Sequence, residues 1–204
     1  MNRIEINEKA KEMIRGNKWY IWKPAIILAL IGLLFSVVGG IIDGICDTDT
    51  LYMSIFDSIY GIISIPFLVG YTYYCLAFAR GQKMDWKEIF NFGKAHWVVC
   101  ILASLLMALI ILAGTILLII PGIIAAIGLT FWAHVISDNP ELSATDVIKT
   151  SWEITKGRKM EVFVFFLSFI GRILLTPLTL GILYIWLAPY MIVAEALFYD
   201  QIKK

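Results

Sequence analysis

The sequence is poor in charge. Asp, Glu, Lys and Arg make up 16% of its 204 residues, against about 25% in an ordinary soluble protein. It is poor in histidine and cysteine as well, with two and three. Two distant histidines, His96 and His134, do not build a multi-histidine metal centre. Cys46, Cys75 and Cys100 form no C-x-x-C pair, so neither a zinc site nor a redox couple is signalled, and they read as small hydrophobes. H-E-x-x-H, G-x-S-x-G, G-x-x-x-x-G-K-S/T and G-x-G-x-x-G are all missing, which leaves an intramembrane protease, an acyltransferase or an ATPase without its chemical core. The chain therefore reads as a non-enzyme with no catalytic residue, metal or cofactor. A net charge of +1 points to no nucleic-acid partner.

What is there is apolar. Hydrophobic residues reach 60% and the mean hydropathy is +0.81, more than a soluble chain of this length can hide. Six helices of about 20 residues, the length that crosses a bilayer, would use roughly that share. Residues 24–42 carry no charge and open on Pro24, tolerated in a first helical turn. A secretory signal is the rival reading, but the segment follows a charged lead and lacks a clear cleavage site, so a retained span is expected. A second span covers 53–79, with Asp57 and Pro66 inside it. The stretch 97–137 is too long for one crossing and must fold back. Pro121-Gly122 is the preferred turn, giving spans 97–120 and 122–137, and Gly114-Thr115 is the rival, with Pro121 then a kink. The last stretch divides near Pro177 into 161–176 and 182–199. The expectation is one polytopic domain over 1–204, an all-α membrane protein of six transmembrane helices in three hairpins.

Sixteen of the 17 cations stand in the leader (1–22 and Lys23), in 80–96, in 138–160 and in the tail, all on one side of that topology; the seventeenth is Arg172. By the positive-inside rule both termini are cytoplasmic and the protein sits in the cell's inner membrane. The opposite loop is acidic, with Asp43, Asp47 and Asp49.

Each cytoplasmic piece carries a helix-start signal and apolar residues at helical spacing. Asn2-x-x-Glu5 precedes Ile6, Ala10, Met13 and Ile14; Asp85-x-x-Glu88 precedes Ile89 and Phe90; Ser143-x-x-Asp146 precedes Val147, Ile148, Trp152 and Thr155. Each piece ends at a glycine, Gly16, Gly93 or Gly157, followed at once or one residue later by a cation, as if a left-handed residue closed the helix. Three copies of one unit are one reading, an amphipathic helix on the inner leaflet followed by a hairpin; three ordinary connectors are the other. In the first, the apolar faces lie at the headgroup boundary while Arg15, Lys18, Lys94, Arg158 and Lys159 meet anionic lipid.

Ionisable groups inside a bilayer are costly and few here. Asp57 and Arg172 lie towards the outer face and are expected to pair with each other or to anchor to water. His134 and Glu195 lie near the inner ends of their spans. As a pair they could bind a cation or a headgroup amine; singly they would bond to backbone or water. Ser143 reads as a cap and Ser151 as helix surface. Gly40-x-x-x-Gly44 suggests close helix packing.

The run VISDNPELSATDVIKTSWEITKGRKMEVFVFFLSFIG at 135–171 resembles a family of bacterial integral membrane proteins, the domain-of-unknown-function family nine-seven-five. AKEMIRGNKWYIW at 10–22, LAFARGQKMDWKEIFNFGK at 76–94 and LLIIPGII at 117–124 are similar to it too, and its most specific part is Asp138 to Ser143. The family also resembles, distantly, the membrane domain fused to some glycerophosphodiester phosphodiesterases. The resemblance implies a six-helix membrane protein and transfers no functional residue. Arg172, where a large apolar residue is usual, and His134, where an aromatic is common, depart from the pattern.

Two function classes remain open. One is a non-enzymatic membrane component that binds lipid, a membrane protein or a peptide, for example assisting export or giving tolerance to a membrane-active peptide. The other is a small transporter or channel lined by Asp57, Arg172, His134 and Glu195.

Overall fold

The computed structural model describes residues 3–46, 50–174 and 182–203, without the side chains at 3, 45–46, 50–54, 172, 174 and 182–186. Among them all regular structure is helix: α1 (Arg3–Gly16), α2 (Lys18–Cys46), α3 (Thr50–Ala79), α4 (Glu88–Ala95), α5 (Trp97–Leu117), α6 (Ile119–Gly128), α7 (Trp132–Asp138), α8 (Ala144–Thr155), α9 (Lys159–Leu174) and α10 (Ile182–Ile202). Among the described residues four stretches are long and apolar enough to cross a membrane, Lys18–Gly44, Ile55–Ala79, Trp97–Leu117 and Ile119–Asp138, which marks a multi-pass membrane protein.

Local chemistry accounts for several joints. Pro24 lies inside α2, where it lacks the N–H that would bond the carbonyl of Tyr20. The Tyr74 hydroxyl donates to that carbonyl at 3.0 Å, and the Tyr71 hydroxyl donates to the next one, of Ile21, at 3.2 Å. Two tyrosines of α3 thus repair the break and bind α2 to α3. In α8 the Ser143 side chain accepts from the Asp146 amide, so the expected cap is present. The carbonyl of Gly128, an orphan of the α6 terminus, accepts from Ser151 and Thr155 at 3.3 and 3.0 Å. Ser151 is fully buried rather than on a helix surface, because this bond draws it inward.

Most of the core gathers at one end of the bundle, where α1, α4, α7 and α8 meet the ends of α3 and α10. Ile6, Ala10, Ile89, Val147, Phe131 and Tyr199 are buried there. This corrects the expectation that the short helices lay their apolar faces on lipid. Ile6, Ala10 and Ile14 of α1 are covered from within, with Tyr190 of α10 donating to the Asn7 carbonyl at 3.2 Å. In α4, Ile89 and Phe92 are buried, and in α8, Val147 and Ile148. Periodicity reveals an apolar face but does not say what covers it.

The glycine rule holds in part. Gly157 has φ +79° after α8, whereas Gly16 and Gly93 are not left-handed. Gly93 sits inside α4 because a Cβ would lie 2.8 Å from the Pro66 carbonyl oxygen, so its role is close approach of α4 to α3. Among the described residues nothing lies within 4 Å of a Cβ at Gly40 or Gly44, so the packing suggested for that pair is not made there.

The preferred turn at Pro121-Gly122 is also displaced. The break is Leu118 alone, extended at φ −165° and ψ 147°, and Pro121 falls in the first turn of α6, where its missing N–H costs nothing. Gly114 and Gly122, one from each proposed turn, face each other across the break: a Cβ on Gly114 would lie 3.1 Å from the Gly122 Cα. The expected span 122–137 is interrupted as well, between α6 and α7.

Candidate functional site

Two places combine unusual chemistry with defined geometry: a charged latch at the packed end, and an apolar cleft between α2 and α3.

The latch begins where α3 stops. Gly81 at φ +79° sends its amide to the Phe78 carbonyl and the Gln82 amide to that of Ala77, both at 2.9 Å, a Schellman turn that makes Arg80 the C-cap. Its guanidinium forks between two carboxylates. Nε and Nη2 bond Asp200 of α10 at 3.0 and 2.5 Å, and Nη1 bonds Asp138 of α7 at 2.5 Å. Asp138, its side chain only 6% exposed, also accepts from Lys203 Nζ at 2.6 Å and from the Tyr199 hydroxyl at 3.0 Å. Two cations and two anions cancel, and the hydrogen bonds that Arg80 donates to Asp200 and Asp138 raise the arginine pKa above its ordinary value.

One turn below Asp138 on α7 lies His134, 2% exposed, its ring centroid 5.2 Å from that of Tyr199 and 5.7 Å from that of Phe131. Its Nδ1 is 3.9 Å from Glu195 Oε1, and neither ring nitrogen has a hydrogen-bond partner among the described residues. The structure therefore brings the expected His134 and Glu195 together. Asp57 is not with them: it is exposed on α3, 23 residues before Arg80, about 34 Å along the helix. Arg172 lies in α9 with its side chain outside the described residues, so the Asp57 pairing lies outside them too.

Arg80, Asp138 and Asp200 escaped the sequence reading. Arg80 and Asp200 look like ordinary flanking charges, and only the place of Asp138 at the head of the most family-like run could have singled it out. Of the five headgroup candidates, Arg15, Lys18 and Lys94 are exposed. Arg158 donates to the Ile202 carbonyl at 3.3 Å, and Lys159 Nζ lies 3.2 Å over the Trp152 ring.

The cleft, about 260 Å3, opens between Leu28, Ile31 and Phe35 of α2 and Ile63, Phe67 and Leu68 of α3, with Phe90 of α4 at one end. Its polar side chains are Tyr60 and Ser64, and Ser64 already donates to the Gly61 carbonyl at 2.8 Å. Phe35 stacks on Tyr60 with centroids 4.7 Å apart. At the Phe90 end, Trp86 meets Phe90 edge-on at 6.1 Å, and Lys23 Nζ lies 5.6 Å from the Trp86 centroid. Lys23 is exposed, with no carboxylate at ion-pair distance among the described residues. Among those residues no cluster of three His, Cys, Asp or Glu side chains is placed to hold a metal ion.

Residues 105–204, just under half of the chain, match the family described as Protein of unknown function (DUF975), and the match supports that family for this chain. It includes His134, Asp138, Glu195 and Asp200 and stops short of the cleft. No curated protein and no solved structure matches the chain.

Proposed function

We propose that this protein is a non-enzymatic component of the inner membrane that holds an anionic phospholipid of the cytoplasmic leaflet, one acyl chain in the α2–α3 cleft and the headgroup at Lys23 and Trp86. The carrying observation is the cleft itself, walled by aliphatic and phenyl groups and continuous through Phe90 and Trp86 with Lys23, a cation without a carboxylate at ion-pair distance among the described residues. Its volume lies just below the roughly 300–1,000 Å3 of pockets that swallow a whole small molecule, so it suits a segment of chain. Lys23 is five residues before Leu28 on α2, about 7.5 Å along the axis, a headgroup's reach. In this reading six spans form three hairpins, α9 and α10 supplying the last pair, with both termini on the cytoplasmic side where 16 of 17 cations lie. Lys87, beside Trp86, adds a second exposed cation, offset by Asp85 and Glu88 nearby.

A transport path is less well supported. It would have to join Asp57, about 34 Å along α3 from Arg80, to His134 and Glu195 beside the latch, and the charges nearest that pair are already spent on one another in the latch.

Native mass spectrometry tests the reading with protein released from micelles holding phosphatidylglycerol and phosphatidylcholine of identical acyl chains. The wild type is expected to retain phosphatidylglycerol several-fold over phosphatidylcholine. Lys23→Ala brings the ratio towards one and Lys23→Arg restores it, whereas Lys149→Ala on α8, beside Asp146, leaves it alone. Ile31→Trp with Ile63→Trp fills the cleft and lowers retention of both lipids. Unchanged retention in the filled variant overturns the cleft; an unchanged ratio in Lys23→Ala overturns the headgroup site.

A further inference from the structure

The turn between α5 and α6 is unlike a loop that meets water. Ile116, Leu117, Leu118, Ile119 and Ile120 follow one another at 67–77% exposure, with no polar side chain among them. From 105 to 129 the one side-chain hydroxyl is that of Thr115, and it donates back to the Ile111 carbonyl at 2.8 Å. Only one residue leaves the helix. The Leu118 amide bonds the Gly114 carbonyl at 3.1 Å, the Gly122 amide bonds the Leu118 carbonyl at 3.4 Å, and Pro121 has no amide to satisfy. A turn so compact exposes little backbone and much hydrocarbon.

Helix length sets its depth. Trp97, 57% exposed at the start of α5, is the kind of ring that marks a membrane interface. Leu118 lies 21 residues further on, about 31 Å, against about 30 Å of hydrocarbon. The first hairpin offers a control on the same scale, since Asp43 lies 21 residues after Trp22. At the same distance from a belt tryptophan, one hairpin presents a carboxylate and the other an unbroken aliphatic run. Moving five aliphatic side chains out of water outweighs the cost of the few peptide groups left at the turn.

We propose that the side chains at 116–120 are seated in the acyl layer of the leaflet opposite the basic collar, so that the second apolar pair, α5 with α6 and α7, ends inside the membrane and presents no aqueous loop. The occupant of this surface is lipid hydrocarbon. The inference concerns α5 and α6 alone and is independent of the cleft. It makes the far face of the protein asymmetric: the exposed Asp43 of α2 reaches water, while the α5–α6 tip holds on to acyl chains.

Site-directed spin labelling in lipid vesicles tests it. In a Cys46→Ser background the remaining Cys75 and Cys100 are fully buried, and single labels go on Leu118→Cys, Ile120→Cys and Asp43→Cys. Collision with dissolved oxygen reports lipid, and collision with a water-soluble nickel chelate reports the aqueous phase. Oxygen is expected to dominate at 118 and 120, with an oxygen-to-nickel ratio several-fold above that at 43. Nickel access at 118 equal to that at 43 overturns the inference in favour of a wet loop. Low access to both reagents at 118 and 120 overturns it too, since that marks a protein contact. The two adjacent sites keep the test decisive if one variant misfolds.

Discussion

The two ends of the bundle are built on different principles. At the end that carries the basic residues, short helices cover the long ones, the core includes Phe131, Phe165 and Tyr199, and four charges from three helices close on one another. At the other end α2 and α5 face outward along most of their length, with Leu33, Leu34, Leu105 and Leu112 exposed and little but aliphatic side chains on show. The packed end has the directional contacts that specify a fold. The thin end leaves its apolar surface to the membrane.

Breaking the latch should cost most. Arg80→Ala leaves Asp138 nearly buried beside a single remaining cation, and because Arg80 is itself about a third exposed the loss is expected near 2 kcal/mol rather than the full cost of orphaning a buried charge. Thermal unfolding in detergent measures it, and Arg80→Lys should restore little, since a lysine does not fork between two carboxylates. A similar contrast divides the glycines. A Cβ at Gly70 would stand against the Ile89 carbonyl, so Gly70→Ala in the packed half is expected to destabilise by about 1–3 kcal/mol. Gly61→Ala, with nothing within 4 Å, should be neutral or stabilising by less than about 1 kcal/mol. Equal effects at 70 and 61 would erase the difference between the two ends. Smaller still, Tyr74→Phe removes the hydroxyl that serves the Tyr20 carbonyl freed by Pro24, for a loss of about 1 kcal/mol. If Pro24→Ala is introduced first, that loss should shrink, and a double-mutant cycle on unfolding midpoints reads the coupling. Ser143→Ala, which takes only the α8 cap, should also cost about 1 kcal/mol, with the cleft and its lipid ratio untouched.

The thin end was legible in the sequence and the packed end was not. Long uncharged runs announce membrane helices by composition alone, and Ser143-x-x-Asp146 announced a cap, because both signals are local. Whether the apolar stripe of α1 meets lipid or α10 depends on residues as far as 183 positions away, and no periodicity encodes that. His134 and Glu195 were singled out because titratable groups are rare in such helices, and they do meet. Arg80, Asp138 and Asp200 sit at helix ends, where charges are common, and only the Schellman turn at Gly81 shows why the arginine points back over the bundle. The turn at Leu118 was misplaced because proline and glycine are strong turn signals in water-facing loops. Here Pro121 opens a helix and Gly122 packs against Thr115.

The most direct measurement photolabels the protein with a phosphatidylglycerol carrying a diazirine in its acyl chain and maps the adducts by peptide mass spectrometry. Bound in the α2–α3 cleft, the chain should place adducts at 28–35 and 60–68, with loss of those adducts in the Ile31→Trp, Ile63→Trp variant. Adducts spread at equal yield over the outward faces of α2, α5 and α9, unaffected by filling the cleft, would contradict a lipid site there.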